Sequence, residues 1–138
     1  MQNFFLSIED NILQLLRNKT RSLFFIKGEK DNAPDLKGVD IVITAYNGDK
    51  HISRLLESLA EQSLRNFDCF VIDDHSRSRT VEVIHDGFPW VKIIEQPRNY
   101  GPAYNRNIAA SMGRRKYIAF FDDDVFLKDQ DWLKRGVA

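Results

Sequence analysis

The stretch of sequence that decides the predicted fold is Tyr117-Ile118-Ala119-Phe120-Phe121-Asp122-Asp123-Asp124, an apolar run that leads directly into three carboxylates. A short apolar run of this kind is typical of a buried strand. Three more such runs lie upstream of it, separated by segments with helical periodicity. The predicted strands are residues 39–44, 68–72, 91–94 and 116–121, and the predicted helices are residues 50–62, 79–85 and 103–112, the last stopped by Gly113.

Strands that alternate with helices predict crossover connections and a mainly parallel sheet. Because crossovers of this type are right-handed, they place helices on both faces of the sheet. We therefore predict an α/β fold, a mainly parallel sheet flanked by helices.

The first 38 residues differ from the rest of the chain. Ser7 and Asp10 resemble a capping box, with Asp in place of the usual Glu, and residues 28–35 have the composition of a loop. We therefore divide the chain into an N-terminal helical extension with a linker, residues 1–38, and one domain, residues 39–138. The helix either packs on its own domain, which we favour, or docks on a partner or a membrane surface. Its apolar face consists of Ile8, Ile12, Leu15, Leu16 and Leu23.

Composition narrows the class of protein. The chain has 138 residues, of which 43% are hydrophobic and 29% charged, which suits one folded domain and excludes general disorder. Lys and Arg number 20, and so do Asp and Glu, so the formal net charge is zero. Proteins that bind nucleic acid by neutralising phosphates usually carry a basic excess, and this chain has none, so we do not expect a nucleic-acid partner.

The sequence also indicates where in the cell the protein is expected. The longest apolar runs are far shorter than the roughly 18–20 residues of a membrane-spanning helix, so we expect no transmembrane segment. The first residues lack the basic leader of a signal peptide, and the single cysteine, Cys69, excludes an internal disulfide framework. We expect a cytoplasmic protein, either free or at the inner face of the membrane.

Polar side chains follow three of the four predicted strands at the point where each strand ends. In open α/β sheets, ligands bind outside the carboxyl ends of the strands, so we expect these groups to converge at one edge. They are Thr44, Tyr46 and Asn47 after the first strand, Asp73, Asp74 and Ser76 after the second, and Asp122, Asp123 and Asp124 after the last.

Each of these groups has a functional and a structural interpretation. Three adjacent carboxylates suit Mg²⁺ or Mn²⁺ with substrate phosphates completing the shell, but they also occur in exposed acidic turns. In the functional interpretation, Asp74 hydrogen bonds to a base or a ribose. In the structural interpretation, one carboxylate of the Asp73–Asp74 pair only caps the next helix. Arg106 has two interpretations: its planar guanidinium binds a phosphate or base, or it lies on a solvated helix face. Tyr46 likewise either stacks on a base or packs in the core.

Residues 39–138 resemble the N-terminal, nucleotide-sugar-binding half of family 2 glycosyltransferases, which have the GT-A fold with a Rossmann-like arrangement. Any one of the matching blocks is weak evidence, but their order along about a hundred residues is specific. The blocks are Val42-Ile43-Thr44-Ala45-Tyr46-Asn47, Leu56-Glu57-Ser58-Leu59-Ala60-Glu61-Gln62-Ser63, Phe70-Val71-Ile72-Asp73-Asp74-His75-Ser76, Arg98-Asn99-Tyr100-Gly101, Arg106-Asn107-Ile108-Ala109-Ala110, the opening stretch, and Asp131-Trp132-Leu133.

The resemblance implies metal-dependent transfer of a sugar from a nucleotide-diphospho-sugar, first of all a UDP-sugar, to an acceptor hydroxyl with inversion. It implies Mn²⁺ or Mg²⁺ as cofactor, a glycan or lipid-linked glycan as acceptor, and a place in polysaccharide biosynthesis. Asp124 and Asp122 match the outer residues of the family's D-x-D signature and would hold the metal. The nucleotide-sugar-binding residues that it implies are Thr44, Tyr46, Asp74, Arg106, Asp122 and Asp123.

The chain also departs from the family pattern. Thr44, His75 and Ser78 stand where Pro, Gly and Asp are frequent, and the family's catalytic base lies beyond the position of Ala138. We therefore expect a C-terminally truncated domain that supplies the donor-binding half and can self-associate through an exposed edge. The alternative function is a non-catalytic nucleotide- or partner-binding module of the same fold. A receiver-like domain, a D-x-D-x-(T/V) phosphatase and a plain Ca²⁺ site fit the residues less well.

Overall fold

The structure is a computed structural model, and it describes residues 24–27, 38–112 and 114–138. In chain order the described elements are β1 Phe24–Lys27, β2 Val39–Ala45, α1 Ile52–Ala60, β3 Phe67–Asp73, α2 Thr80–Gly87, β4 Lys92–Glu95, α3 Pro102–Met112, β5 Tyr117–Asp122 and α4 Trp132–Gly136. The strands form one sheet in the order β1-β5-β2-β3-β4. β5, β2, β3 and β4 are parallel, which confirms the predicted α/β fold, and β1 is antiparallel to β5.

β2 is the middle strand of the five, with two strands on either side. All of its residues are buried, including the polar Asp40 and Thr44. Its β-branched and apolar sequence suits a strand that is covered on both faces. The register aligns the carboxyl ends of the three central strands, since Thr44 pairs with Asp122 of β5 and Ala45 with Asp73 of β3.

Helices cover both faces of the sheet, as the crossover argument predicts. On one face, α1, α2 and α4 bury apolar side chains against alternate residues of the strands, among them Leu55, Ile84 and Leu133. On the other face, α3 packs Ala109 and Ala110 against the strands. The small side chains of α3 bring this helix close to the sheet, so its first turn lies beside the carboxyl ends of β3 and β5.

β1 and α4 were not predicted. β1 lies within residues 1–38, which the sequence assigns to a helical extension and linker; most of that segment, including the predicted helix, lies outside the described residues, as does Gly113. Periodicity cannot distinguish a strand from a helix in so short a run. This run forms a strand because it pairs with β5, in a register from Phe24 opposite Phe120 to Lys27 opposite Tyr117.

The amino-terminal end of the sheet carries a paired set of charges. The buried carboxylate of Asp40 accepts hydrogen bonds from the backbone N–H groups of Arg114 and Arg115, at 2.6 and 2.8 Å. The Arg115 side chain forms ion pairs with Asp40 and with Asp68, and Lys92 also contacts Asp68. Burial opposes ionisation of Asp68, but Arg115 and Lys92 outweigh it and hold its pKa below the usual range.

Candidate functional site

The polar side chains at the carboxyl ends of the strands converge on one pocket, which has a volume of about 270 Å³. It lies between the loops that follow β2, β3 and β5 and the first turn of α3. This is the edge at which open α/β sheets bind ligands. The pocket is lined by Thr44, Ala45, Tyr46, Asp74, Pro102, Asn105, Asp122, Asp123 and Asp124.

The loop after β2 is held by the loop after β3. Asn47 adopts a left-handed conformation (φ 52°), which Asn tolerates better than most residues. Its backbone N–H donates to Ser76 Oγ at 2.8 Å, and its side-chain Oδ1 accepts from the N–H groups of Arg77 and Ser78. The next residue, Gly48, donates its N–H to Thr80 Oγ1 at 2.9 Å. These contacts fix the position of Tyr46 at the mouth of the pocket.

The same loop also approaches the acidic turn after β5 very closely. The backbone N–H of Tyr46 donates to Asp123 Oδ2 at 3.1 Å. A Cβ atom on Gly48 would lie 2.5 Å from that carboxylate oxygen, so a larger residue does not fit without a shift. The Tyr46 ring is 51% exposed, which excludes the interpretation that it packs in the core.

Asp122, the last residue of β5, is paired with a cation. Arg106 in α3 donates from Nη2 to Asp122 Oδ1 at 2.5 Å, and the Arg106 side chain is only 16% exposed. Arg106 therefore does not lie on a solvated helix face. It does not line the pocket either, but it fixes one oxygen of a carboxylate that does.

Asp123 and Asp124 lack such a cationic partner among the described residues. Burial raises the pKa of Asp123; the Tyr46 N–H and His51 oppose the shift, and the neighbouring charges of Asp124 and Asp122 add to it. The Asp124 carboxylate is exposed and makes no hydrogen bond or ion pair with residues in the described part of the chain. Negative charge is thus only partly compensated at this turn.

The acidic turn does not form a metal cage by itself. Across residues 24–27, 38–112 and 114–138, no three His, Cys, Asp or Glu side chains are grouped so that they could hold a metal ion. One or two carboxylates with water and substrate phosphates are, however, the usual way in which proteins bind Mg²⁺. The donor set at Asp122 and Asp124 fits an ion that arrives with a phosphorylated ligand.

Asp74 is a buried, ionised acceptor on the opposite side of the pocket. Its two carboxylate oxygens accept from the backbone N–H groups of Tyr100 and Gly101, at 2.7 and 2.9 Å. Burial opposes ionisation, but the Asn105 amide and these two N–H groups hold the pKa of Asp74 below its ordinary value. Asp73 is the residue that caps the turn, because its Oδ2 accepts from the N–H of Ser76 at 3.0 Å.

The structure therefore brings most of the predicted site residues together. Thr44, Tyr46, Asp74, Asp122, Asp123 and Asp124 line the pocket, and Arg106 stands behind Asp122. Two further residues of this site, Gly48 and Asn105, are not among the predicted site residues. The Asn-Gly pair at residues 47–48 is a turn signal that could have marked Gly48, whereas nothing local in the sequence marks Asn105.

Comparison with known proteins agrees with this geometry. A model of the family described as Glycosyl transferase family 2 matches residues 40–138. Solved structures with the same architecture include TarS 1-349 from S. aureus in complex with UDP-GlcNAc, which has 27% sequence identity and a TM-score of 0.66 over 71% of this chain and 29% of that one. The fold is the GT-A fold, and the chain belongs to glycosyltransferase family 2.

The chain is also similar in sequence to curated glycosyltransferases and to a chondroitin synthase. The chain is 34% identical over 122 residues to a chondroitin synthase of Escherichia coli, which covers 84% of this chain and 18% of that protein. It is 33% identical over 100 residues to an uncharacterized glycosyltransferase of Haemophilus influenzae, with 70% of this chain and 40% of that protein covered. The chain thus spans well under half the length of these relatives.

A more distant structure shares only the fold. The mannosyltransferase PcManGT from Pyrobaculum calidifontis, solved in complex with GDP-Man and Mn²⁺, has 19% identity and a TM-score of 0.64. It aligns over 94% of this chain and 37% of its own. Within the described residues of our chain, no helix is both long and apolar enough to cross a membrane.

Proposed function

We propose that this chain is the donor-binding part of an inverting, metal-dependent glycosyltransferase that uses a nucleotide-diphospho-sugar, with a UDP-sugar as the first candidate. The observation that carries the proposal is the convergence of Thr44, Tyr46, Asp74 and residues 122–124 on one pocket at the carboxyl ends of the strands. The acceptor would be the hydroxyl of a glycan or a lipid-linked glycan, as in polysaccharide biosynthesis. A TarS structure with 27% sequence identity to this chain holds UDP-GlcNAc, which supports the proposed donor.

The residues of the pocket divide into a base end and a phosphate end. At the base end, the exposed ring of Tyr46 offers a stacking surface, and Asp74 offers an ionised acceptor to a base or ribose. Thr44 adds a hydroxyl to the lining between the two ends. At the other end, residues 122–124 provide three carboxylates, of which Asp122 is fixed by Arg106.

The phosphate end requires a cation, because three carboxylates would otherwise repel a diphosphate. We propose that Asp124 is the main ligand of Mn²⁺ or Mg²⁺ and that Asp122 contributes its free oxygen to the metal, to water or to the ribose. When bound, such an ion would neutralise the charge that develops on the diphosphate leaving group. Asp123 holds the loop after β2 through the Tyr46 N–H, so it positions the base end relative to the acidic turn.

We also propose that the protein acts in the cytoplasm. Its single cysteine, Cys69, is a buried free thiol whose pKa burial raises, so it behaves as a small core residue rather than as half of a disulfide. A chain of this kind suits a reducing compartment.

Calorimetric titration of the chain with UDP, dTDP, GDP and CMP, each with and without Mn²⁺, tests the proposal. We expect one nucleoside diphosphate to bind in a Mn²⁺-dependent way. Asp124→Ala should reduce that affinity by at least about tenfold, because the ion loses its main ligand. The matched control is Asp86→Ala, which removes an exposed carboxylate from α2 and should leave the affinity unchanged.

Two results would count against the proposal. If no nucleotide binds to a folded sample, the pocket is not a donor site in this chain. If a nucleotide binds equally well without Mn²⁺ and in Asp124→Ala, the metal assignment is wrong. Binding without any transfer, once acceptor and the remainder of a related enzyme are supplied, would favour the non-catalytic module.

A further inference from the structure

Three buried side-chain atoms have no hydrogen-bond partner among the described residues: Asp73 Oδ1, Asn105 Nδ2 and Arg106 Nε. Of these three residues, Asn105 alone lines the pocket. It is fully buried in the first turns of α3, where a neutral amide has no access to bulk water. The Asn105 amide helps to hold the pKa of Asp74 down, but its Nδ2 group makes no hydrogen bond of standard geometry. A buried donor in this state is costly to keep in a folded protein, so it calls for an explanation.

The orientation of the Asn105 amide is set by Gln96. Gln96 Nε2 donates to Asn105 Oδ1 at 3.0 Å, so the oxygen of Asn105 is occupied and the Nδ2 group remains. Gln96 is anchored in turn, because its backbone N–H donates to the carbonyl of Asp73 at 2.8 Å. The reverse orientation would turn an amide oxygen towards the carboxylate of Asp74, and two acceptors side by side repel each other.

Asp74 supplies the complementary group. Each of its carboxylate oxygens accepts one backbone N–H, from Tyr100 or Gly101, and a carboxylate has about four acceptor positions in total. Capacity therefore remains for an N–H group of a ligand. The pocket thus presents the Asn105 N–H group, which acts on the nearby Asp74 carboxylate without making a hydrogen bond of standard geometry, next to a partly used acceptor on Asp74.

We propose that Asn105 is a base-reading residue of the donor site, whose Nδ2 group donates to a ring carbonyl of the nucleobase while Asp74 accepts the adjacent ring N–H. This inference rests on the proposed function. Uracil, thymine and guanine carry a ring N–H next to a carbonyl, whereas cytosine carries an unprotonated ring nitrogen beside its carbonyl. The chemical class read by the pair is therefore a nucleoside diphosphate with a lactam-type base.

The proposal explains why a polar residue occupies a fully buried position that faces the pocket. A site built to hydrogen bond a group discriminates strongly against an analogue that lacks it, because the buried polar atoms are then left unpaired. Cytosine would place a ring nitrogen against the Asp74 carboxylate and would be rejected by repulsion. Asn105 would add a preference for bases that place a carbonyl oxygen within reach of its Nδ2 group.

The test combines a change in the protein with a change in the ligand. Calorimetry with Mn²⁺ first identifies which of UDP, dTDP and GDP binds the wild-type chain, with CDP for comparison. The same titrations then use thiocarbonyl analogues of the base that binds (2-thio-UDP and 4-thio-UDP, the thio analogues of dTDP, or 6-thio-GDP), because sulfur is the weaker acceptor. Asn105→Leu removes the donor and keeps a side chain branched at Cγ, and Asn107→Leu, at an exposed position of the same helix, is the matched control.

We expect the wild-type chain to bind one of the thio analogues about tenfold more weakly than the parent nucleotide, the usual effect of one good hydrogen bond. Asn105→Leu should bind the parent about tenfold more weakly and should no longer distinguish it from that analogue. Asn107→Leu should behave as wild type. A purely structural role for Asn105 would weaken every nucleotide equally and preserve the difference between parent and analogue, which would overturn the inference.

Failure of the inference is distinguishable from failure of the proposed function. Unchanged affinity in a folded Asn105→Leu variant, with Mn²⁺-dependent binding intact in the wild type, contradicts the base-reading role alone. Absence of any nucleotide binding to the wild-type chain contradicts both. If Asn105→Leu does not fold, the wild-type titrations still decide, because equal affinity for CDP, the parent and all thio analogues excludes base reading by this pair.

Discussion

At the amino-terminal end of the parallel sheet, Asp40 and Asp68 are compensated by Arg115, by Lys92 and by two backbone N–H groups. At the carboxyl end, residues 122–124 place three carboxylates on one turn, and only Asp122 has a cationic partner in the described part of the chain. The same kind of side chain is thus neutralised at one end and left charged at the other. Arg115 and Lys92 lower the pKa of Asp68 against the effect of its burial, whereas burial raises the pKa of Asp123 and the charges of Asp124 and Asp122 add to that rise.

This difference separates the acids that stabilise the fold from the acids that are available to a ligand. A buried carboxylate with a guanidinium and N–H donors is fully satisfied and binds nothing further. Carboxylates that repel one another at a sheet edge cost stability until a cation neutralises them. The comparison predicts opposite responses to substitution at the two ends.

The largest expected effect is at the amino-terminal end. Arg115→Met removes the guanidinium that pairs with Asp40 and Asp68, and it leaves a buried carboxylate without its cation. We expect the free energy of unfolding to fall by about 3 kcal/mol, the lower part of the range for breaking a buried ion pair. Urea unfolding at pH 7 measures this change.

Arg114→Met is the matched control for that substitution. The exposed Arg114 contacts Asp40 through its backbone N–H, which the substitution preserves. Its effect should stay within about 0.5 kcal/mol. Equal losses in the two variants would mean that the ion pairs of Arg115 do not stabilise the fold.

A smaller loss of stability is expected for substitution of Asp68, and its size should depend on pH. Because the pKa of Asp68 in the folded chain lies below its ordinary value of 3.8, the carboxylate contributes stability above that value and loses it as the pH falls through the folded pKa. Asp68→Asn should therefore cost stability at pH 7, by less than about 1 kcal/mol since water screens this partly exposed side chain. The difference from wild type should shrink as the pH falls below 3.8 and through the lower pKa of the folded chain.

Urea titrations at a series of pH values test this prediction. Asp86→Asn, which changes an exposed carboxylate of α2, should match wild type at every pH. A loss at pH 7 that persists unchanged in acid would show that Asp68 acts through packing rather than through its charge.

The smallest expected effect is a gain in stability, and it follows from a substitution at the carboxyl end of the sheet. Asp123→Asn removes one of three neighbouring charges, while the amide oxygen can still accept the N–H of Tyr46. Without metal or nucleotide, we expect the chain to become more stable at pH 7 by up to about 1 kcal/mol. Asp49→Asn on the neighbouring loop should have no such effect, and destabilisation by Asp123→Asn would contradict the account of the acidic turn.

Much of this organisation could be predicted from the sequence, because it depends on local patterns. The four parallel strands follow from short apolar runs, and the convergence of Thr44, Asp74 and Asp122 follows from the rule that such strands end at one edge. The alignment of these residues requires only that the strand ends be in register, which the hydrophobic pattern already constrains.

The remainder depends on contacts between distant segments. The pairing of Arg106 with Asp122 spans 16 positions, and the N–H contact of Tyr46 with Asp123 spans 77. Whether an arginine meets a ligand or a carboxylate is decided by how α3 packs, and periodicity does not encode that. β1 was missed for a similar reason, since only its pairing with β5 makes its short apolar run a strand.

A crossed measurement on Asp124→Asn and Asp40→Asn tests the central claim that the two ends of the sheet serve different purposes. For each variant, the free energy of unfolding without ligand and the affinity of the folded chain for its nucleotide with Mn²⁺ would be determined together. We expect Asp124→Asn to keep or slightly gain stability and to lose at least about tenfold in affinity, whereas Asp40→Asn should lose stability and keep its affinity. Retained nucleotide affinity in Asp124→Asn, or a loss of stability as large as that of Asp40→Asn, would contradict it.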